Sequence, residues 1–95
     1  MDKLFSMLGL ARRAGKLLNG RDAVMGSVKK KKAELVLLTA DASPRHKQEL
    51  EALNFNGKTI ELPYNMDDIA FYLGKRSCIF ALEDKNLSAA IDKLN

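Results

Sequence analysis

The residues able to do chemistry are few and scattered. The chain has one histidine, His46, and one cysteine, Cys78. A Ser-His-Asp arrangement needs a histidine held against its nucleophile, and no spacing ties His46 to Ser43, Ser77 or Ser88. His46 lies between Arg45 and Lys47 and reads as a solvated residue. Cys78 opens an apolar run and reads as core. Asp67-Asp68 could serve as an acid and base pair, but helix capping accounts for them more simply. A structural metal site takes about four ligands, mostly Cys or His, and the chain does not supply them. There is no GxGxxG and no GxxxxGKS/T, the turns that cradle phosphates at a strand-to-helix junction. No enzyme, metal or cofactor is expected, although a deep pocket joining Asp41, His46 and Ser77 would reverse that reading.

What remains is charge, with donors and acceptors beside it. Asn19-Gly20-Arg21-Asp22 should open a helix, with Asn19 as N-cap and Asp22 as its capping-box partner. A helix start offers free N–H groups and a partial positive charge. Arg21 adds a flat guanidinium able to pair bidentately, and Asp22 can accept from base amino or imino groups. A cation beside an acceptor fits the reading of base edges; a capping box with a solvated arginine fits the same letters. Lys29-Lys30-Lys31-Lys32 close that helix. Successive helical residues point about 100° apart, so the four cannot share one face, and complementing the helix dipole is their simplest role. Gly74-Lys75-Arg76-Ser77 makes a second basic loop. If loops at one end of a sheet gather with the start of this helix, Arg21, Lys32, Lys75 and Arg76 would share one rim.

The charge is unevenly spread. Formal net charge is +4, with nine Lys or Arg against two Asp in residues 1–32 and seven basic against ten acidic groups in 33–95. That asymmetry points to a basic face for nucleic acid or an anionic surface. A chain of 95 residues is enough for one domain. Its 46% hydrophobic and 29% charged content is ordinary for a soluble globular protein. Apolar runs such as LVLL at 35–38 fall far short of the ~20 residues of a membrane span. In MDKLFSMLGLARRAG, Asp2 and the periodic apolar residues argue against a signal peptide. A single cysteine fits a reducing compartment, so a cytoplasmic protein is expected.

These residues need elements to hold them. Leu4, Met7, Leu8, Ala11 and Ala14 recur at helical steps, with Arg12 and Arg13 in the last turn and Gly15 as the stop. Leu17-Leu18 reads as a short edge strand. The second helix should run from about 20 to 31, burying Val24 and Val28, with Gly26 a weak point in its middle. Residues 34–39 form a central buried strand. Ser43-Pro44 opens a third helix that turns Leu50 and Leu53 inward. Residues 58–62 alternate as a half-buried strand. Asn65 and Asp68 cap a fourth helix carrying Met66, Ile69, Ala70 and Leu73, and Gly74 ends it. A strand over 78–82 and a helix opened by Asp84 complete the chain, with Leu87, Ala90, Ile91 and Leu94 on one side. Alternating strands and helices predict parallel crossovers, with helices on both faces of a small sheet.

The stretch MLGLARRAGKLLNGRDAV, then KAELVLLTADAS, then a Gly-Lys loop before a hydrophobic strand, resembles the small bacterial YlxQ-type proteins. These belong to the ribosomal protein L-seven-Ae/L-thirty-e family, which binds kink-turn RNA. The likeness covers nearly the whole chain, taken as one RNA-binding domain over 1–95. It implies an α/β fold, a three-layer α-β-α sandwich with a small mixed four-stranded sheet whose fourth strand lies near Leu17-Leu18. It also implies non-catalytic binding of structured RNA, a kink-turn or internal loop, and a link to the ribosome. In the family, Gly-x-Asn-Glu-x-x-Lys at the start of the second helix reads tandem sheared G·A pairs. A loop before the last strand covers an extruded base. Here Gly20 keeps the glycine, Asp22 stands at the asparagine, Ala23 at the glutamate and Gly26 at the lysine. Asp22 keeps an acceptor but loses the amide donors, Ala23 reaches nothing, and Gly26 removes a cation. Lys32 matches a basic position before the central strand; Lys75, Arg76 and Ser77 match the covering loop. The RNA contacts expected are Gly20 at the helix start, Arg21 and Asp22 toward bases, Lys16, Lys32, Lys75 and Arg76 toward phosphates, and Ser77 in the covering loop. The altered motif keeps a second reading open: a protein–protein adaptor of the translation machinery that has lost specific kink-turn reading.

Overall fold

The computed structural model describes residues 3–74 and 76–94. The elements in order are α1 (Lys3–Arg13), β1 (Leu17–Asn19), α2 (Arg21–Lys29), β2 (Leu35–Leu38), α3 (Pro44–Ala52), β3 (Lys58–Glu61), α4 (Met66–Leu73), β4 (Ile79–Leu82) and α5 (Lys85–Lys93). The strands pair in the order β1-β4-β2-β3. This is the three-layer α/β sandwich with a mixed four-stranded sheet.

The two central strands are apolar at every position because both of their faces are covered. Side chains alternate across a strand. Leu35 and Leu37 of β2, with Phe80 and Leu82 of β4, therefore meet Leu4, Phe5 and Leu8 of α1, Ile69 and Leu73 of α4, and Ile91 of α5. Val36 and Leu38, with Ile79 and Ala81, meet Val24, Met25 and Val28 of α2 and Leu50 of α3. Each Val, Leu, Ile or Phe removed from water contributes roughly 1.5–3 kcal/mol before entropy is counted, so β2 and β4 anchor both helical layers.

The expected parallel crossovers hold for part of the sheet. β2 pairs parallel with β3, and β1 points the same way, since β1 and β2 each pair antiparallel with β4. β4 is inserted between β1 and β2 and runs against them. The connection through α4 has only eight helical residues, and it returns the chain to the sheet end that β3 had just left.

Local signals set most helix ends. The Ser43 hydroxyl accepts from the Arg45 N–H with Pro44 in the first turn. Asn65 and Asp68 form a reciprocal capping box, and Gly74 stops α4 with φ 72°. Asp84 accepts from the Leu87 N–H. The start of α2 differs from expectation. Asn19 belongs to β1, paired with Phe80, and Gly20 is the N-cap with φ 96° and no side-chain cap. Glycine tolerates that φ without cost, and strand pairing takes Asn19 away from capping. α2 also ends earlier than expected, at Lys29.

Candidate nucleic-acid interface

Sheet register defines two ends. Asn19, Ile79, Leu38 and Glu61 stand at one; Leu17, Leu82, Leu35 and Lys58 stand at the other. At the first, the chain leaves β1 for α2, β2 for α3 and β3 for α4, and residues 76–78 lead into β4. Three helices thus begin at one end, each with a partial positive charge and unpaired N–H groups in its first turn. α3 and α4 are capped by Ser43 and by the Asn65–Asp68 box. α2 carries no side-chain cap, and among the described residues no side chain is hydrogen-bonded to its first N–H groups. We call this the helix-start end.

Arg21 stands at that uncapped start, but not as a free cation. Its Nε donates to Glu49 Oε1 at 3.0 Å and a terminal nitrogen donates to Glu49 Oε2, while its other terminal nitrogen donates to Asp22 Oδ1 at 2.9 Å. The hydrogen bond to Glu49 holds Arg21 charged more firmly than an ordinary arginine. In return the Arg21 hydrogen bond lowers the Glu49 carboxyl. The guanidinium is locked in direction and largely neutralised. Asp22 is almost fully exposed, with its other oxygen open to a donor. Arg76 is exposed at the same end, 3.4 Å from Asp67.

The remaining expected contacts fall elsewhere. Lys16 precedes β1 and Lys32 precedes β2, so both stand at the opposite end of the sheet. Lys16 lies 3.8 Å from Asp84. One rim joining Arg21, Lys32 and Arg76 is therefore corrected: α2 carries the chain from one end to the other before Lys32 is reached. Ser77 is buried, and its hydroxyl donates to the Ile79 carbonyl at 3.0 Å, which turns it inward. Lys75 lies outside the described residues.

Two cations of the helix-start end were not among the expected contacts. A Cβ on Gly74 would lie 3.9 Å from an Arg12 guanidinium nitrogen, so the end of α1 adjoins the loop before β4. Arg12 also lines a cavity of about 160 Å³ with Leu17, Asn19, Leu73 and Phe80, where the Asn19 side-chain oxygen is buried without a hydrogen-bond partner. Arg45 sits in the exposed first turn of α3. Among the described residues neither Arg12 nor Arg45 is in an ion pair. The Ser43-Pro44 signal at the end of a central strand places Arg45. No sequence signal ties Arg12 to Gly74, or Glu49 to Arg21.

The groups weighed for catalysis have local partners. Asp41 accepts from the Thr39 hydroxyl at 2.8 Å and from the Met66 N–H at 3.0 Å, and the Thr39 bond lowers its carboxyl below the usual range. His46 Nε2 is 3.3 Å from Cys78 Sγ, so the histidine is half-buried against the strand start instead of solvated. Among the described residues no group of three or more His, Cys, Asp or Glu could hold a metal ion, and no helix is long and apolar enough to cross a membrane.

The sequence pattern of the family described as "Ribosomal protein L7Ae/L30e/S12e/Gadd45 family" matches residues 2–90. The chain belongs to that family. It is 27% identical to an RNA-binding protein YlxQ of Enterococcus faecium over 94 residues, covering 97% of this chain and 90% of that one. A 39-residue stretch is 51% identical to RNA-binding protein YlxQ of Bacillus subtilis (strain 168), covering 41% of this chain and 39% of the relative. Among solved structures, a protein of unknown function from Bacillus halodurans superposes with a TM-score of 0.87 at 26% identity, covering 99% of this chain and 97% of that one. A Giardia lamblia 15.5kD RNA binding protein shares the fold with a TM-score of 0.75 at 16% identity, over 99% of this chain and 89% of the other.

Proposed function

We propose that this chain is a non-catalytic, cytoplasmic RNA-binding protein, one domain that recognises a kink-turn or internal-loop RNA at the helix-start end and works with the ribosome. The observation that carries the reading is the uncapped start of α2, in a chain of a ribosomal protein family whose relatives are named RNA-binding proteins. Gly20 lets a base or phosphate approach the backbone closely, and the N–H groups behind it are donors for that ligand. Arginine has five N–H donors. Three of those of Arg21 are taken by Glu49 and Asp22, so two remain to be aimed at a base edge. With its charge offset, Arg21 supplies direction more than attraction. Arg12, Arg45 and Arg76 then serve phosphates. Asp22 accepts from a base amino or imino group.

Affinity should change sharply with RNA structure. In a gel shift, a kink-turn RNA should bind at least tenfold tighter than the same RNA without its sheared G·A pairs. Equal binding of the two would reject recognition by the α2 start. One observation favours the adaptor reading: Phe71 on α4 is 82% exposed beside the half-exposed Tyr72, a small apolar patch of the kind found at protein contacts. Capture of a ribosomal protein from nuclease-treated lysate, lost in Phe71→Ser, would support it.

A further inference from the structure

The lysine run lies at the end of the sheet opposite the helix starts, and it borders a cavity. α2 ends with Lys30 as its cap and Lys31 at φ 60°. The Lys31 N–H bonds the Val28 carbonyl and the Lys32 N–H bonds the Ser27 carbonyl, each at 3.0 Å. α3 ends in the same way: Asn54 has φ 55°, and Asn54 and Phe55 bond back to Glu51 and Leu50. Between these two helix ends opens a cavity of about 550 Å³, lined by Lys29, Lys31, Asn54, Phe55 and Asn56 over Val28, Ala33 and Leu53. That is within the roughly 300–1,000 Å³ of small-ligand sites. Among the described residues no carboxylate lines it.

Two features need explanation. All four lysines are exposed, and among the described residues none is in an ion pair. The helix C-termini of α2 and α3 supply roughly half a negative charge each, which complements the lysines only in part and leaves a strong positive excess. Lys31 also occupies a left-handed position where helices usually place glycine or asparagine. α3 follows that rule with Asn54; α2 does not. A cation is kept where glycine would be less strained, and an outlier of this kind points to use.

We infer that this cavity is a second RNA site, which takes the phosphates of an unpaired strand on Lys29 and Lys31, with the Asn54 and Asn56 amides donating to it and Phe55 as its apolar wall. The choice of RNA over other polyanions rests on the function proposed above. The two sites lie roughly 12 Å apart along α2, eight rises of about 1.5 Å from Arg21 to Lys29. A folded RNA held at the helix starts can therefore send a single-stranded tail to the lysines.

Two probes separate the sites: oligo-uridine for the cavity and a tail-less kink-turn hairpin for the helix starts, each titrated by fluorescence anisotropy. Lys29→Gln/Lys31→Gln should weaken oligo-uridine at least tenfold and shift the hairpin less than threefold. Its salt slope for oligo-uridine should shrink by about 1.4, since each phosphate contact to a single strand contributes about 0.7. Lys85→Gln/Lys93→Gln, with the same charge loss on α5, should change oligo-uridine less than threefold. Lys31→Gly is the second readout: Tm should rise by roughly 5 °C as the left-handed strain is relieved, while oligo-uridine affinity falls at least threefold. No binding of oligo-uridine by the native chain, no loss in the cavity variant, or equal loss in the α5 control would overturn the site. Binding of oligo-uridine that is lost in the cavity variant, with no binding of the hairpin, would leave the site standing and remove the helix-start reading instead.

Discussion

Gly26 is the position where stability and recognition can be separated. It sits in the second turn of α2, and a Cβ built there meets nothing within 4 Å. Gly26→Ala should therefore gain the full helix-propensity difference, about 1 kcal/mol. For a chain of this size that is a Tm increase of about 4–8 °C. Gly26→Lys should gain nearly as much, because lysine is a good helix former. It also returns a cation to the place of the lysine in the family pattern. Helical side chains tilt toward the N-terminus, so the ammonium would reach back toward Gly20 and the uncapped N–H groups. One restored base contact is worth about 1–3 kcal/mol, or roughly five- to 150-fold in affinity. Thermal melts give the first quantity, and anisotropy with a kink-turn RNA gives the second. Alanine should raise Tm with no change in affinity; lysine should raise both. A lysine variant that binds no better than the alanine variant would refute the placement of RNA along the start of α2. A destabilised alanine variant would refute the open environment of Gly26.

Asn65→Ala should cost about 1 kcal/mol through loss of the α4 capping box, seen as a lower urea midpoint with an unchanged m-value. Stability should also fall in acid. Asp41, Glu49 and Asp84 all have lowered carboxyls, through the Thr39 hydroxyl, the Arg21 guanidinium and the Leu87 N–H respectively. Each holds its proton less tightly folded than unfolded, so its contribution is complete above about pH 5 and is lost as pH falls through the lower folded values. Urea melts at pH 7, 5 and 3 should show little change across the first step and a clear drop across the second. Asp41→Asn should make that drop shallower.

The elements whose signals are local were legible. Ser43, Asn65 with Asp68, Gly74 and Asp84 mark their helix ends through bonds within four residues. The apolar runs at 35–38 and 79–82 declare two-sided burial. What escaped reading is non-local. The direction of β4 depends on which strands it pairs with, and alternation of strand and helix carries no such information. Asn19 has the letter of a cap, yet pairing with Phe80 makes it a strand residue and passes the cap to Gly20. The proposed cation rim failed for a length reason: Lys32 precedes a strand that must cross the sheet before reaching the helix starts, as does the expected phosphate contact Lys16. Arg21 looked like a free cation because Glu49 is 28 residues away in sequence. Arg12 was assigned to the dipole of α1, though Gly74 is its neighbour.

The central claim is that RNA docks where α2, α3 and the loop before β4 converge. Amide chemical shifts of the ¹⁵N-labelled protein, followed as a tail-less kink-turn RNA is added, test it most directly. The largest shifts should fall on Gly20–Ala23, on Arg45 and His46, and on Arg76 and Ser77, with Lys29–Lys32 and α5 nearly still. Shifts confined to Phe71 and Tyr72, or spread evenly over every exposed lysine, would contradict it.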